Sequence, residues 1–255
     1  MCGFSFYASK KNFSSDLESS TNAIIHRGPD RTNIYETRVS DKNIGIGFNR
    51  LSIQDVSSYG DQPMHYKDEI TISFNGEIYN FIELREDLIL KGYNFEGGSD
   101  TEVILCLYRE HKELLFEKLR GMFSILIFDR LRKKIFIGRD SIGIKPFYFF
   151  YDNFSFFGSS ELKGLKEFKE VSWEIDESLI YEFLLNGFLF EPGTGYKNIK
   201  KVEPGKLIEI DLVDFSITDS DFSNGLKFNS GKLQDILKKS IQRQLRSDVP
   251  LGIFF

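Results

Sequence analysis

The sequence predicts an α+β fold in which antiparallel sheets pack face to face and helices cover the outside. Strand candidates come as neighbouring hairpins: Met122 to Phe128 with Lys134 to Gly138, and Lys145 to Phe150 with Phe154 to Gly158. Helix candidates are grouped rather than alternating one for one with strands, which argues against a doubly wound parallel sheet. At 255 residues the chain is long enough for one large domain or two small ones with a sizeable core.

Taken in order, Gly3 to Ala8 is a short apolar strand starting almost at the terminus, and Ser14 to Ile25 has the loose helical spacing of Leu17, Ala23 and Ile24. His26-Arg27-Gly28-Pro29-Asp30 stops that helix. Asn43 to Ile53 alternates as a strand, Val56 to Pro63 is a loop, and Glu69 to Phe74 is a further strand broken by Asn75-Gly76. Phe81 to Lys91 fits a helix with Leu84, Leu88 and Ile89 inward and Gly92 closing it. Ser99-Asp100-Thr101-Glu102 is a capping box opening a helix over Val103 to His111. Past Leu165 the texture changes: a helix over Asp176 to Asn186, a loop over Gly187 to Gly195, and a strand pair around Glu203-Pro204-Gly205. Polar residues follow from Asp214 to Ser230. Lys232 to Arg246 is then an amphipathic helix with Leu233, Ile236, Leu237, Ser240 and Ile241 on one face.

Composition bounds the function. A net charge of −5 gives no general electrostatic reason to expect nucleic acid or an anionic membrane as partner. Two cysteines, Cys2 and Cys106, make no disulfide framework and no zinc spacing, and three histidines make a histidine metal cluster unexpected. The N-terminus lacks a basic segment followed by a long apolar run, and no stretch approaches the length of a membrane span. The expectation is a cytoplasmic protein in a reducing compartment.

Cys2 is the one residue whose position could make it a catalyst unaided. With Met1 removed, it carries a thiol and a free α-amine on one Cα, and such an amine titrates near ~7.7–8.0. The small side chain at position 2 permits that removal. The other reading of Cys2 is a small hydrophobe on an apolar strand. A thiolate attacking an amide needs an oxyanion hole and anchors for the charged ends of its substrate. Asn75 and Gly76 offer a side-chain amide and a glycine N–H open to close approach, although Asn-Gly is also the commonest hairpin turn. Arg50, at a strand end, suits either a carboxylate clamp or solvent exposure. Asp100 suits an ammonium, or the electrostatics of a helix start. His26 could pair with Cys2 or belong to its Gly-Pro turn, and Cys106, in mid-helix among Ile104, Leu105 and Leu107, belongs to the core.

Together, Cys2-Gly3, His26-Arg27-Gly28-Pro29-Asp30, Arg50-Leu51-Ser52-Ile53, Asn75-Gly76-Glu77-Ile78-Tyr79-Asn80, Gly98-Ser99-Asp100-Thr101-Glu102, Arg120-Gly121-Met122-Phe123 and Gly138-Arg139-Asp140 resemble the class II glutamine amidotransferase domain. In form they are most similar to glutamine-hydrolysing asparagine synthetases. The resemblance is dense over about residues 2–165 and thinner beyond. It implies a four-layer αββα N-terminal-nucleophile hydrolase sandwich with Cys2 as nucleophile on the first strand and its α-amine assisting proton transfer. Asn75 and Gly76 are then the oxyanion hole. L-Glutamine is the substrate, bound by Arg50 at its α-carboxylate and Asp100 at its α-ammonium, with Leu51, Ser52, Ile53, Gln54 and Glu77 around it. No cofactor or metal is implied for that half-reaction.

The resemblance also divides the chain: a glutaminase domain over 2–165, a C-terminal extension and linker over 166–230, and the truncated start of a synthetase (ATP-pyrophosphatase) domain over 231–255. Ser247-Asp248-Val249-Pro250-Leu251-Gly252 resembles the approach to a pyrophosphate-gripping SGG-x-DS loop, which does not follow before Phe255. ATP and Mg2+ would belong to the missing portion, and the expectation is a truncated product, a fragment or half of a split enzyme. A synthetase domain in trans, or a second copy in a homodimer, is the implied protein partner. The acceptor is expected to be aspartate. Another carboxylate, such as a sugar acid of a surface polysaccharide, and a non-catalytic remnant are the alternatives.

Overall fold

The computed structural model describes residues 2–222 and 231–252. In chain order, its elements begin with β1 (Gly3–Ser9), α1 (Ser14–Ala23), β2 (Arg31–Val39), β3 (Lys42–Arg50), β4 (Met64–Tyr66) and β5 (Ile70–Ile78). Then come α2 (Phe81–Leu90), α3 (Asp100–His111), β6 (Gly121–Asp129), β7 (Lys134–Arg139), β8 (Tyr148–Tyr151), β9 (Ser155–Ser159) and α4 (Leu162–Leu165). The last are α5 (Ser178–Asn186), β10 (Ile199–Lys201), β11 (Lys206–Asp211), β12 (Ile217–Asp221) and α6 (Leu233–Gln244).

The strands form two six-stranded sheets, ordered β10-β8-β9-β1-β3-β2 and β12-β11-β7-β6-β5-β4, with every neighbouring pair antiparallel. Alternation decides what lies on each face. Phe4, Phe6 and Ala8 of β1 point into a core between the sheets with Ile44, Ile46 and Phe48 of β3, meeting Leu126, Phe128, Ile135 and Ile137 from the other sheet. Tyr7 points the other way, under α1 and α4, with Phe13, Leu17, Phe157 and Leu165. On the far side, α3 packs Val103, Ile104 and Leu107 against Ile72, Phe74, Ile125 and Ile127. The result is an α-β-β-α stack, as expected.

β1 is central in its sheet, so the chain start is fixed instead of frayed. Phe4 N–H donates to Ser160 Oγ (3.1 Å), and Ser160 N–H donates to Phe4 O (2.9 Å).

Several expectations need correction. The strand at Glu69 to Phe74 does not break at Asn75-Gly76. β5 runs on to Ile78, with Asn75 opposite Ser124 and Gly76 opposite Phe123. A Cβ on Gly76 would stand 2.0 Å from Met122 O, so that approach of β6 requires glycine. β3 ends at Arg50 and not at Ile53. The pair around Pro204-Gly205 is not a hairpin: β10 joins β8 in one sheet while β11 joins β7 and β12 in the other. Ile89 faces solvent, 52 % exposed, leaving Leu88 as the buried residue of α2. β2, β4, β12 and the short 3-10 helices at Ser58–Gly60 and Lys112–Glu117 were not expected. The apolar stripe of α6 exists, but Leu233, Leu237 and Ile241 are all more than half exposed. Leu251 is exposed too, whereas the residues after Gly252 lie outside the described residues, as does Met1.

Candidate active site

The start of β1, the end of β3, the end of β5 and the start of α3 converge on one cavity of about 540 Å³, its open mouth included. Cys2, Arg50, Leu51, Ile53, Gln54, Asn75, Gly76, Glu77 and Asp100 all line it. Ser52 does not. Its N–H is turned to Asp30, donating to Oδ2 at 2.7 Å.

Cys2 is half-buried. Its Sγ accepts Leu51 N–H at 3.3 Å and donates to Leu51 O at 3.6 Å. Burial pushes the thiol up, opposed by the Leu51 hydrogen bond and the Arg50 charge. Cys2 therefore rests as a thiol, and any attack by its sulfur would need a base. His26 is not that base, because its Nε2 lies 3.1 Å from Glu161. Arg27 is the working residue of this segment: its Nε donates to Cys2 O (3.0 Å) while Nη1 pairs with Glu161 (2.9 Å). Gly28 lets the chain pass, since a Cβ there would be 2.4 Å from Asn49 O.

Asn75 is fully buried, and neither its Nδ2 nor its Oδ1 has a hydrogen-bond partner among the described residues. An unpaired buried amide costs about 1–3 kcal/mol, so its retention at a cavity wall marks a place for a ligand. Along β5, Phe74 N–H donates to Gln62 Oε1 (2.6 Å) and Ile78 N–H to Asp100 Oδ2 (3.0 Å). Strand alternation puts Gly76 N–H on that same edge, beyond Ile72 where β4 stops pairing. A side-chain amide and a main-chain N–H thus sit side by side on the wall that also holds the thiol.

Arg50 is 3 % exposed at the end of β3. Its Nη1 donates to Asp61 (2.5 Å) and Ser57 O (2.7 Å). Its Nη2 donates to Asp55 O and, at a long 3.5 Å, to Gln54 O. Asp100 is the first residue of α3, where Ser99 Oγ caps by accepting Glu102 N–H (3.2 Å). The return half of the capping box is absent. Glu102 instead accepts Glu96 N–H (2.8 Å) and Gly97 N–H (2.9 Å), drawing in the loop before the cavity. Burial lifts the Asp100 carboxyl to about 7, against the Ile78 N–H bond and with the nearby Glu77 charge adding to the rise. It is a carboxylate ready to gain a cation.

Sequence reasoning missed Gly60, Gln62, Phe74, Ser99, Thr101 and Lys145 in the lining. Lys145 is placed by the Arg139-Asp140 motif. Asp140 accepts N–H groups from Phe123, Ile142, Ile144 and Lys145, and Arg139 Nε donates to Lys145 O (3.0 Å). That motif shapes a loop and does not line the cavity. Asn80, the last residue of the Asn75-to-Asn80 motif, also works on the fold: it accepts Arg120 N–H (2.9 Å) and donates to Lys118 O (3.0 Å). Cys106 is buried in the α3 core, as expected. No group of three or more His, Cys, Asp or Glu that could hold a metal ion occurs among the described residues, and none of their helices is long and apolar enough to cross a membrane.

An N-terminal strand presenting a cysteine between two antiparallel sheets is the architecture of the N-terminal-nucleophile amidotransferases. The chain is similar in structure to glutamine phosphoribosylpyrophosphate amidotransferase from B. subtilis, with a TM-score of 0.64 at 16% identity, covering 88% of this chain and 50% of that one. That likeness concerns the fold. Residues 1–220 match the sequence profile of the glutamine amidotransferase domain, and the chain belongs to this family. It is 41% identical to glutamine-hydrolyzing asparagine synthetase 1 of Bacillus subtilis strain 168, over 91% of this chain and 37% of the relative. It is 33% identical to putative glutamine-hydrolyzing asparagine synthetase 2 of Methanocaldococcus jannaschii, over 100% and 54%. It is likewise 33% identical to glutamine-hydrolyzing asparagine synthetase B of Escherichia coli K12, over 89% and 37%. The chain thus spans between a third and about half of the length of these relatives.

Proposed function

We propose that this chain hydrolyses L-glutamine to glutamate and ammonia, with Cys2 as nucleophile once Met1 is removed. The α-amine of Cys2 takes the thiol proton as Sγ attacks the side-chain carboxamide. The carbonyl oxygen becomes an oxyanion facing Asn75 Nδ2 and Gly76 N–H. The proton passes to the leaving nitrogen, the C–N bond breaks, and ammonia departs from a γ-glutamyl thioester. Water, deprotonated by the same amine, then cleaves the thioester, returning the thiol and giving glutamate. Asp100 holds the substrate ammonium. Arg50 holds the α-carboxylate, which replaces the long contact to Gln54 O.

The observation that carries this reading is the buried amide of Asn75, unpaired among the described residues and lining the same cavity as the Cys2 thiol. Its test is glutamate release from glutamine by three proteins. Cys2→Ala should abolish turnover, and Cys106→Ala should leave it within about twofold, since Cys106 is only a packed side chain. Equal losses would refute the assignment.

In the whole protein, the ammonia serves ATP-dependent amidation of aspartate, as the names of the relatives support. Residues 231–255 then open the ATP-pyrophosphatase domain, with residues 166–230 as the extension and linker of the glutaminase. ATP and Mg2+ act in that second domain, which is joined to this one or supplied in trans, in a cytoplasmic enzyme.

A further inference from the structure

Beyond the glutamine pocket itself, the segment after α6 makes contacts that none of the chemistry above requires. Asp248 Oδ2 accepts Asp55 N–H at 2.7 Å, and Asp248 N–H donates to Ile53 O at 3.1 Å. Two residues earlier, Arg246 Nη1 donates to Tyr79 O (2.7 Å) and meets Glu83 at 3.2 Å. The segment therefore ties down two loops at once: the one leaving β3 and the one leaving β5.

Asp55 is the hub of the first loop. Its backbone is left-handed at φ 47°, a conformation a non-glycine residue holds only when its surroundings fix it. Its carbonyl accepts from Arg50 Nη2, its Oδ2 accepts Gly98 N–H (2.6 Å), and its Oδ1 accepts Ser57 N–H (3.1 Å) and Oγ (2.5 Å). One residue thus joins the guanidinium of Arg50 to the loop preceding Asp100, and its own N–H is held by Asp248. On the second loop, Tyr79 directly follows Ile78, whose N–H fixes the Asp100 carboxylate.

We infer that Asp248 is a positioning residue for glutamine binding, holding Asp55 so that Arg50 and Asp100 stand at the right separation for the two charged ends of an amino acid. The inference rests on the function proposed above. Asp248 touches neither the thiol nor the oxyanion wall, so its loss acts on substrate capture and not on bond making.

The test uses glutamine hydrolysis and amide hydrogen exchange on the same variants. Asp248→Ala should raise the glutamine KM about tenfold, the size of one lost charge-assisted hydrogen bond, with kcat within twofold of the parent. Asp248→Asn, which keeps an acceptor oxygen, should restore most of the affinity. An unchanged KM in Asp248→Ala, or an Asn variant as impaired as the Ala variant, would overturn the inference. In Asp248→Ala the amides of Asp55 and Gly98 should also exchange faster, while those of β1 remain protected. Should the parent protein release no glutamate from glutamine, the proposed function fails. Hydrogen exchange still decides the positioning role of Asp248 in that case, because unchanged protection at Asp55 and Gly98 would dispose of it.

Discussion

Asn75 brings a buried amide to the cavity with no partner among the described residues to lose, so replacing it separates catalysis from stability. Asn75→Ala should lower kcat by about 10²–10³-fold, as loss of one oxyanion donor does elsewhere, with KM little changed and the thermal midpoint no lower. Steady-state kinetics beside a melting curve checks both halves. Asp100 gives the pH behaviour. Its carboxyl titrates at about 7 in the free protein and must be ionised to hold an ammonium, so kcat/KM should rise with pH through that value. For stability the sign is the reverse. A carboxyl raised on folding favours the protonated folded state, so stability falls as pH climbs from the unfolded value of about 3.9 towards 7. Asp100→Asn should therefore melt higher at pH 8, by about 2–4 °C for each kcal/mol regained, while its kcat/KM falls about 100-fold. A variant that melts lower and keeps its activity would contradict both roles. At this scale the meeting of Cys2, Asn75 and Asp100 at one cavity was legible from the motifs taken together, since each residue alone had a second reading. Lys145 was not. A lone lysine after a Gly-Ile pair has no pattern, and its place at the cavity follows from long-range folding, in which Asp140 accepts its N–H and Arg139 donates to its carbonyl.

Among the elements, β5 is the one whose course decides the site. Reading Asn75-Gly76 as the end of a strand was reasonable from residue preference alone. What overrides that preference is pairing with β6 over nine residues, from Ile70 opposite Asp129 to Ile78 opposite Gly121. Gly76→Ala would push a methyl into Met122 O, so it should cost about 1–3 kcal/mol and reduce hydrolysis as the strand shifts. Urea unfolding measures the first and glutamate release the second. β2 escaped detection because its residues are mostly polar, as suits the edge of a sheet with one wet side. The division of β10 and β11 between sheets was equally hidden. β10 is only Ile199-Lys200-Lys201, too short and polar to state a face, and nothing local states that Pro204-Gly205 leads from one layer to the next.

For the whole molecule, the two sheets and their outer helices account for nearly all the buried apolar side chains, while α5 stands apart. Tyr181 is 70 % exposed, Leu184 75 % and Leu185 65 %, a contiguous apolar surface of the kind that associates. Light scattering should show self-association that grows with concentration and is relieved by Leu184→Glu with Leu185→Glu. Glutamine hydrolysis should be unchanged, because the cavity lies on other elements. A monodisperse parent protein at high concentration would contradict this.

The central claim concerns Cys2, and intact mass after exposure to a glutamine analogue bearing an electrophilic diazoketone tests it most directly. The prediction is a chain lacking Met1, one covalent adduct, and that adduct on Cys2 after peptide mapping, with glutamate release lost in proportion. A chain that retains Met1, or one whose label is absent or sits on Cys106, would contradict it.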